Sequence, residues 1–581
     1  MRTRAGLAGA DLAQRRRIAA APPAFAGALT ALWREPAGAA TAATATATET
    51  AIETTTAAAI APAAAAALLP ALRREMLWWP APRRDAAMRA RVLIDPGGSL
   101  LALTRALSAD AAQGAPSEAV LLAEGRGAAA RRLAARYGLE PAAAPAALRA
   151  EALSRIRVSA LGPEAVWAAL GGVSVEALGA AAERRALADA LGAAALTRRL
   201  VCRDPWDGGT CTAEAALEAL RFFRGAAARR PKPVVTIGLS PWKRRNAAPF
   251  LSGPEGAPHH RRDPQAALAL ARRLDAEIAL WGPSRARADA LRREGVAVLL
   301  LEDGFIRSVG LGVEHERPAS LCLARRALHF EADRLSDFRE MLRGFRPDAA
   351  MRRRAEAFLA MLIDLRMTKY NLSGAGRRRR AADAPPATAR ERVLVVGQVE
   401  GDASLRYGGG YAGGNLALLR AARARRPEAM ILYKPHPDVL AGMRRDAASR
   451  DAAAALADHI AGDLGALEAL DWADSVETMT SQLGFEALLW RKPVICHGAP
   501  FYGGLGLTTD LSPREDAFEC DLIRLVAAAF LEYPLYAAPG LAAPCPPERT
   551  VLELAARRHA PRPLGERLWN RAVARILKLL P

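Results

Sequence analysis

Short uninterrupted apolar runs punctuate the second half of the chain, at 234–238, 278–282 and 296–301, and segments of helical period such as 263–277 lie between them. A run that is apolar at nearly every position suits a parallel strand buried on both faces, with the intervening helices as its crossovers. Residues 230–372 are therefore expected to form one doubly wound lobe. The pattern restarts at 392–398, passes a helix near 415–426 and reaches a strand at 430–433, so residues 389–560 are expected to form a second. The basic, Gly- and Pro-containing stretch 373–387 reads as the linker between them.

Sheets of this kind bind ligands at the C-terminal ends of their strands, and three such ends carry chemistry. Glu302-Asp303-Gly304 sets two carboxylates after the run 296–301, where they read either as a capping turn or as ligand-facing groups. Lys434-Pro435-His436-Pro437-Asp438 follows the strand 430–433; its lysine, histidine and backbone amides can converge on a phosphate, or the segment is a surface turn. Thr480 and Ser481 sit where a short strand turns into a helix and either cap that helix or bond a phosphate at its positive end, two compatible roles. Glu486 lies further along the same face, where a carboxylate can accept both ribose hydroxyls of a nucleotide. Gln398, Asp402 and Ser404 open the second lobe and are expected to face the cleft, with 498–508 as a mobile loop over it. All eight histidines lie at or beyond His259, and residues 1–231 contain neither histidine nor lysine, so acid/base and phosphate-binding groups concentrate late.

Length and composition bound these readings. A chain of 581 residues exceeds one hydrophobic core and suggests about three or four domains. The net charge of +20 comes from 81 basic residues of which only six are lysines. It would draw the chain to anionic membrane, nucleic acid or phosphorylated substrates, but with aromatics at 5% and no RNA-recognition, zinc-finger or helix-turn-helix signature, nucleic acid is not expected. Six scattered cysteines without CxxC spacing suit a reducing cytosol, with neither a disulfide framework nor a zinc site. No apolar run is long enough to cross a membrane. Asp11 and Arg15–Arg17 interrupt any secretory hydrophobic region, and the Ala/Thr-rich tract 39–67 reads as a linker or weak helix.

The first half resembles the second. Ser159–Trp167 parallels Ser481–Trp490, residues 91–94 parallel 392–395, and 118–122 parallel 428–432, in the same order. Where the second copy has Lys434 and His436 the first has Glu124 and Arg126, and it has no acidic-acidic-glycine segment. Residues 81–225 are expected to be a degenerate Rossmann-like lobe without catalysis, preceded by an Ala-rich, low-complexity or remnant front lobe at 1–80. Chance matches in an Ala-rich chain are the competing reading. Residues 561–581 form a basic amphipathic pattern that either rests on a membrane face or packs back across both lobes.

The blocks EDGFIRSVGLG (302–312), GQVEGDAS (397–404), YKPHPDV (433–439) and TSQLGFEALLW (480–490) resemble, in order, those of the capsule polysaccharide biosynthesis family, the KpsC/LipB-type retaining β-Kdo glycosyltransferases. Ser240-Pro241-Trp242-Lys243-Arg244 and Thr368-Lys369-Tyr370-Asn371 resemble further family blocks, and the resemblance covers about residues 230–560. It implies an α/β fold of GT-B type, two Rossmann-like doubly wound lobes with an interlobe cleft, preceded here by a degenerate related module where family members often carry two complete ones. It implies transfer of Kdo (3-deoxy-D-manno-oct-2-ulosonic acid) from CMP-β-Kdo, with retention, to a lipid-linked acceptor in capsule polysaccharide biosynthesis and export. Asp303 would be the nucleophile, beside Glu302. Arg307 would hold Asp303 ionised or pair with the sugar's carboxylate. Lys434, His436, Thr480 and Ser481 would stabilise the departing phosphate and Glu486 the ribose, with no cofactor and no metal required. The implied partners are CMP-Kdo, a glycolipid acceptor, the inner-membrane surface and other capsule assembly proteins, with the chain cytoplasmic and peripheral on that membrane. The alternatives are a same-fold transferase for another CMP-nonulosonic acid and a non-catalytic capsule assembly or export factor.

Overall fold

The computed structural model describes residues 213–559 apart from residue 400 and short stretches at 254–255, 311–315, 372–387, 409–412, 462–463, 538–543 and most of 437–449; ahead of them it describes residues 204, 206 and 211 and five strands between 92 and 177. The expectations for 1–80, for the copy at 159–167 and for 561–581 fall outside the described residues. The chain divides into two compact units, 1–231 and 232–581.

In the first unit, strands β1 (Val92–Asp95), β2 (Ala119–Leu122), β3 (Glu140–Ala142), β4 (Arg155–Val158) and β5 (Ser174–Ala177) form one parallel sheet in the order β3-β2-β1-β4-β5. This is the order of a doubly wound sheet, with the chain reversing direction beside β1.

The second unit holds two lobes. In the first lobe β6 (Val234–Ile237), β7 (His259–Arg261), β8 (Glu277–Trp281) and β9 (Val298–Asp303) run parallel. Their crossover helices start where the sequence supplies caps. Ser240 caps Pro241–Leu251, and Asp263 caps Pro264–Leu274 by accepting the Ala266 N–H at 2.6 Å, with a proline opening each helix. The second helix stops at Asp275, in the left-handed region at φ 49°, so the expected helix 263–277 ends early and Glu277 already belongs to β8. The sheet continues with β10 (Ser320–Ala324), antiparallel to β9, which places Leu321 opposite Asp303 and Cys322 opposite Glu302. That pairing extends β9 past its apolar run, so the two carboxylates are the last residues of a strand rather than part of a turn.

The second lobe is a fully parallel sheet of β11 (Arg392–Val396), β12 (Met430–Lys434), β13 (His459–Ile460), β14 (Ser475–Thr478), β15 (Val494–Cys496) and β16 (Thr509–Asp510), in the order β13-β12-β11-β14-β15-β16. Its first five strands follow the order of the first unit's sheet. The sequence segments that parallel one another, 91–94 with 392–395 and 118–122 with 428–432, fall on β1 and β11 and on β2 and β12. Two doubly wound lobes in one unit are the GT-B architecture.

Two expectations need correction. The stretch 389–560 serves both lobes: after a π-helical turn at Ala527–Glu532 the chain forms β17 (Pro534–Tyr536), which pairs antiparallel with β10 at the edge of the first sheet. The helix Pro547–His559 then packs back, with Glu548 bonded to Arg354 and Arg558 donating to the carbonyls of Leu365 and Arg366. The segment 498–508 is not a cover over the cleft. Phe501, Tyr502 and Leu505 are buried, and the guanidinium of buried Arg339 donates to the carbonyls of Gly503 and Gly504, because three large apolar groups spaced among glycines have more to gain from the core than from solvent.

That core joins the lobes. Phe305, two residues after Asp303, is 1% exposed and contacts Phe485, Phe501, Phe530 and Tyr533 at ring-centroid distances of 4.6–6.5 Å, alongside Phe338 and His329. Edge-to-face contacts of this kind add to area burial. Among the described residues no helix is long and apolar enough to cross a membrane.

Truncating Phe305 removes a contact shared by both lobes. Phe305→Ala is expected to cost about 3–5 kcal/mol in urea unfolding, with one cooperative transition shifted as a whole. A midpoint within error of the wild type would remove Phe305 from the interlobe core.

Candidate active site

The end of β9 and the turn after it build the centre of the site. Arg307 lies four residues beyond Asp303 and its Nε donates to Asp303 Oδ2 at 2.6 Å, while Nη1 donates to Ser308 Oγ at 3.0 Å. Arg307 is 3% exposed, and although burial opposes its charge, Asp303 more than compensates and raises its pKa. The other oxygen, Asp303 Oδ1, is buried and accepts no hydrogen bond. Gly304 is required by close approach: its N–H donates to the Ser320 carbonyl at 3.0 Å, and a Cβ there would lie 2.7 Å from Ser320 Cβ. Glu302 keeps part of its surface open while sitting deep among its neighbours. Burial, followed by the adjacent charge of Asp303, pushes its carboxyl up to about 7.

Against this pair the chain lays the turn Thr368–Asn371. Asn371, in the left-handed region at φ 45°, accepts the Thr368 N–H on Oδ1 and donates from Nδ2 to the Ser308 carbonyl. The Lys369 carbonyl accepts from the N–H groups of Arg307 and Ser308, and the Tyr370 carbonyl from Gly310. On the far side the Lys369 N–H donates to Glu486 Oε1 at 2.8 Å. Burial works against the Lys369 ammonium, yet Tyr370, Asp303, Glu302 and Asp402 outweigh it and hold its pKa up at about 12. Lys243 stands on the other flank, 4.7 Å over the ring of Trp281 at the end of β8; burial lowers its pKa, while Glu302 and Asp303 pull it back up. Neither lysine was assigned a role from sequence, although both lie in motif blocks; what identifies them is their charge at the exits of a lobe otherwise almost without lysine.

The second lobe brings its expected residues together around Gln398. Its side chain accepts the Thr480 N–H at 2.8 Å and donates to Thr480 Oγ1 at 3.1 Å and Ser404 Oγ at 3.4 Å; its own backbone is clasped by Asn415. Ser404 Oγ donates to Asp402 at 3.0 Å, and Asp402 is near enough to Glu302 and Lys369 to perturb both. Ser481 is the N-cap of the helix Gln482–Leu489, its Oγ accepting the Leu483 N–H at 3.2 Å, so the capping reading holds for it. Glu486 is 6% exposed and burial pushes its carboxyl up to about 7. Lys434 is the last residue of β12: its ammonium donates to the Leu464 carbonyl at 2.5 Å, and burial lowers its pKa to about 8 against the pull of Glu468. A lysine pointed at a backbone carbonyl braces the strand end. His436 follows, half-buried. Among the described residues no group of three or more His, Cys, Asp or Glu side chains is placed to hold a metal.

A cleft between two doubly wound lobes, with acid and base groups on one wall and hydroxyl, amide and cationic groups on the other, defines a GT-B-type site. The model of the capsule polysaccharide biosynthesis proteins matches residues 359–538. The chain is 34% identical to the lipopolysaccharide-processing protein LpsZ of Rhizobium meliloti over 58% of its own length and 78% of that protein's. It is 39% identical to the capsule polysaccharide modification protein LipA of Neisseria meningitidis serogroup A, over 52% of its own length and 42% of that protein's, so it spans less than half of the LipA relatives it matches. Among solved structures it is 30% identical to the β-Kdo 2,4 transferase module of Thermosulfurimonas dismutans KpsC, covering 56% of this chain and 98% of that one at a TM-score of 0.49. The chain belongs to the capsule polysaccharide biosynthesis family, in its KpsC/LipB-type branch.

Two buried carboxyls with raised folded-state pKa values give stability a definite pH dependence. Each favours the folded state while protonated, so the contribution is complete below about pH 4.5 and lost as pH rises through about 7. Glu486→Gln keeps an acceptor for the Lys369 N–H and removes one of the two ionisations, so the loss of Tm between pH 5 and pH 8 is expected to shrink relative to wild type. Parallel Tm curves for the two proteins would show that Glu486 does not titrate in this window.

Proposed function

We propose that this chain is a retaining glycosyltransferase that moves Kdo from CMP-β-Kdo to a lipid-linked acceptor in capsule polysaccharide biosynthesis. The observation that carries the reading is the split between two adjacent carboxyls: Asp303 paired with Arg307 through one oxygen with the other bare, and Glu302 held near neutral pH. Paired carboxyls whose environments push them apart divide nucleophile from acid/base work. Family membership supplies the sugar-nucleotide class; the donor and the stereochemistry are part of the proposal.

In the first step the bare oxygen of Asp303 attacks the anomeric carbon, and the bond to CMP breaks with its electron pair leaving on the phosphate. Arg307 orients Asp303 through their ion pair. The first amide of the helix Gln482–Leu489, with the Ser481 hydroxyl and His436, offers donors to the phosphate, while Thr480, whose N–H donates to Gln398 and whose hydroxyl donates to the Ser404 carbonyl, shapes the turn that presents them. The bond from Lys434 to Leu464 supports a bracing role for that lysine, leaving its remaining N–H groups for the leaving group. Glu486 has one oxygen engaged by Lys369, which leaves the other for a ribose hydroxyl. In the second step the acceptor hydroxyl attacks the same carbon, Glu302 takes its proton, and the bond to Asp303 breaks, so two inversions give retention. A leaving group with one phosphate can be neutralised by these donors without a metal. The first unit, with the same strand order but Glu124 and Arg126 at the positions of Lys434 and His436, supports a decayed copy, hence one working site per chain. A lipid-linked acceptor and the basic surface favour a cytoplasmic protein peripheral on the inner membrane.

Purified protein given CMP-Kdo generated in situ and a synthetic Kdo-terminated glycolipid is expected to add one Kdo by mass, and Asp303→Ala to add none. Addition of two would assign activity to the first unit, and no transfer by wild type from any CMP-sugar would favour a non-catalytic assembly role.

As a general base Glu302 must be ionised, so kcat/KM should rise with pH through about 7. Glu302→Gln is expected to abolish that limb and lower the rate by roughly 10²–10⁴-fold. A limb that persists in the variant assigns the base elsewhere.

A further inference from the structure

Asp303 faces a difficulty that depends on the class of donor. In an ulosonic acid the anomeric carbon carries a carboxylate directly, so a nucleophilic carboxylate approaching that carbon meets a like charge at close range. An aldose donor presents no such charge. At separations of a few ångströms in a partly desolvated cleft like charges repel strongly, and a transferase for acidic sugars must offset that with cations beside the nucleophile. Arg307 is poorly placed for this. It is 3% exposed, its Nε is bound to Asp303 and its Nη1 to Ser308, and it lies behind the nucleophile on the strand's own turn.

Two other cations flank the pair from separate elements. Lys243 comes from the first turn of the helix Pro241–Leu251, its ammonium seated 4.7 Å over Trp281 at the exit of β8, the strand neighbouring β9. Lys369 comes from the Thr368–Asn371 turn, whose peptide is pinned on one side by Arg307 and Ser308 and on the other by Glu486. Both ammonium groups feel the charges of Glu302 and Asp303. Among the described residues neither forms an ion pair within 4 Å, whereas Arg307 does, so each lysine stands off Glu302 and Asp303 by more than a salt-bridge distance. An ammonium beside a carboxylate but not paired with it keeps its donors for an incoming anion.

We propose that Lys243 and Lys369 together read the carboxylate on the donor's anomeric carbon and so restrict the enzyme to ulosonic-acid donors. This rests on the transferase reading of the same site and assigns the donor class to two specific side chains. Placed on opposite flanks, they neutralise the incoming sugar's charge where Asp303 has to approach, and they leave Asp303 to its pairing with Arg307.

The test compares CMP-Kdo with its C1-amide analogue, which is neutral at the carboxylate and otherwise the same shape. The readout is the ratio of kcat/KM for acid over amide, a quantity independent of how much of a variant is folded. Wild type is expected to prefer the acid by about 30-fold or more, the equivalent of truncating one partner of a desolvated charge pair. In Lys243→Met and Lys369→Met that ratio should fall at least about tenfold, with Lys369→Arg recovering part of it because the charge is restored. Unchanged ratios in both variants, or variants equally crippled on both donors down to the limit of detection, would overturn the proposal, as would a wild type indifferent between the two donors. A wild type that transfers Kdo from neither donor sinks the transferase reading itself, a result separate from any of these.

Discussion

The peptide of Lys369 is the joint on which the site depends. Its carbonyl takes the N–H groups of Arg307 and Ser308 from the first lobe, and its N–H goes to Glu486 in the second. Both lobes are therefore registered against one backbone unit, held in place by Asn371 in a conformation that few residues other than glycine adopt readily. Strain of this size persists only where its surroundings over-determine it, and the two side-chain bonds of Asn371, one within the turn and one to the Ser308 carbonyl, do so. Beneath the joint, Phe305 and its ring of aromatic neighbours make the lobes share a core, so the relative position of the two walls is set by packing as well as by hydrogen bonds.

From that placement the chemistry of two neighbouring carboxyls diverges. They occupy consecutive positions on one strand, so side-chain alternation turns them toward different surroundings. Asp303 turns to Arg307, which is anchored four residues on. Glu302 turns inward, where burial and the charge next door leave it holding its proton to near neutral pH. Neither property belongs to the dipeptide itself. The antiparallel partner β10 creates the difference by holding both residues in extended backbone, where a turn would have let them share solvent.

Strands β6, β8, β9, β11 and β12 were legible because each carries an apolar run, the signal a doubly buried strand gives. Of the strands that escaped, β7 is His259–Arg261, β13 and β16 are two-residue pairings, and β10 and β17 answer to tertiary pairing rather than to local pattern. The site's acidic pair, its Gln398–Thr480–Ser404 network and Glu486 were visible as polar residues at strand exits. Lys434 shows what a linear pattern leaves open. Sequence gives a lysine's position but not the carbonyl its long side chain will reach, and here Leu464 lies within that reach. Lys243 and Lys369 were visible only as members of motif blocks, since nothing in a linear pattern says that two segments more than a hundred residues apart flank the same carboxylates. The segment 498–508 was misread because glycines suggest mobility, although three large apolar residues among them require burial.

The same distinction explains how a sheet can outlast its chemistry. The order β3-β2-β1-β4-β5 of the first unit is specified by apolar runs and short connections, and many sequences satisfy those conditions because hydrophobic positions tolerate exchange so long as volume and pattern are kept. A site tolerates far less: one glycine that lets Gly304 approach Ser320, one arginine four residues from an aspartate, one peptide shared between two lobes. Drift that is neutral for the sheet is destructive for the site. On the proposed reading the first unit is such a copy: residues 92–177 keep the strand order of 392–496, while the sequence there lacks counterparts of Lys434, His436 and the acidic pair.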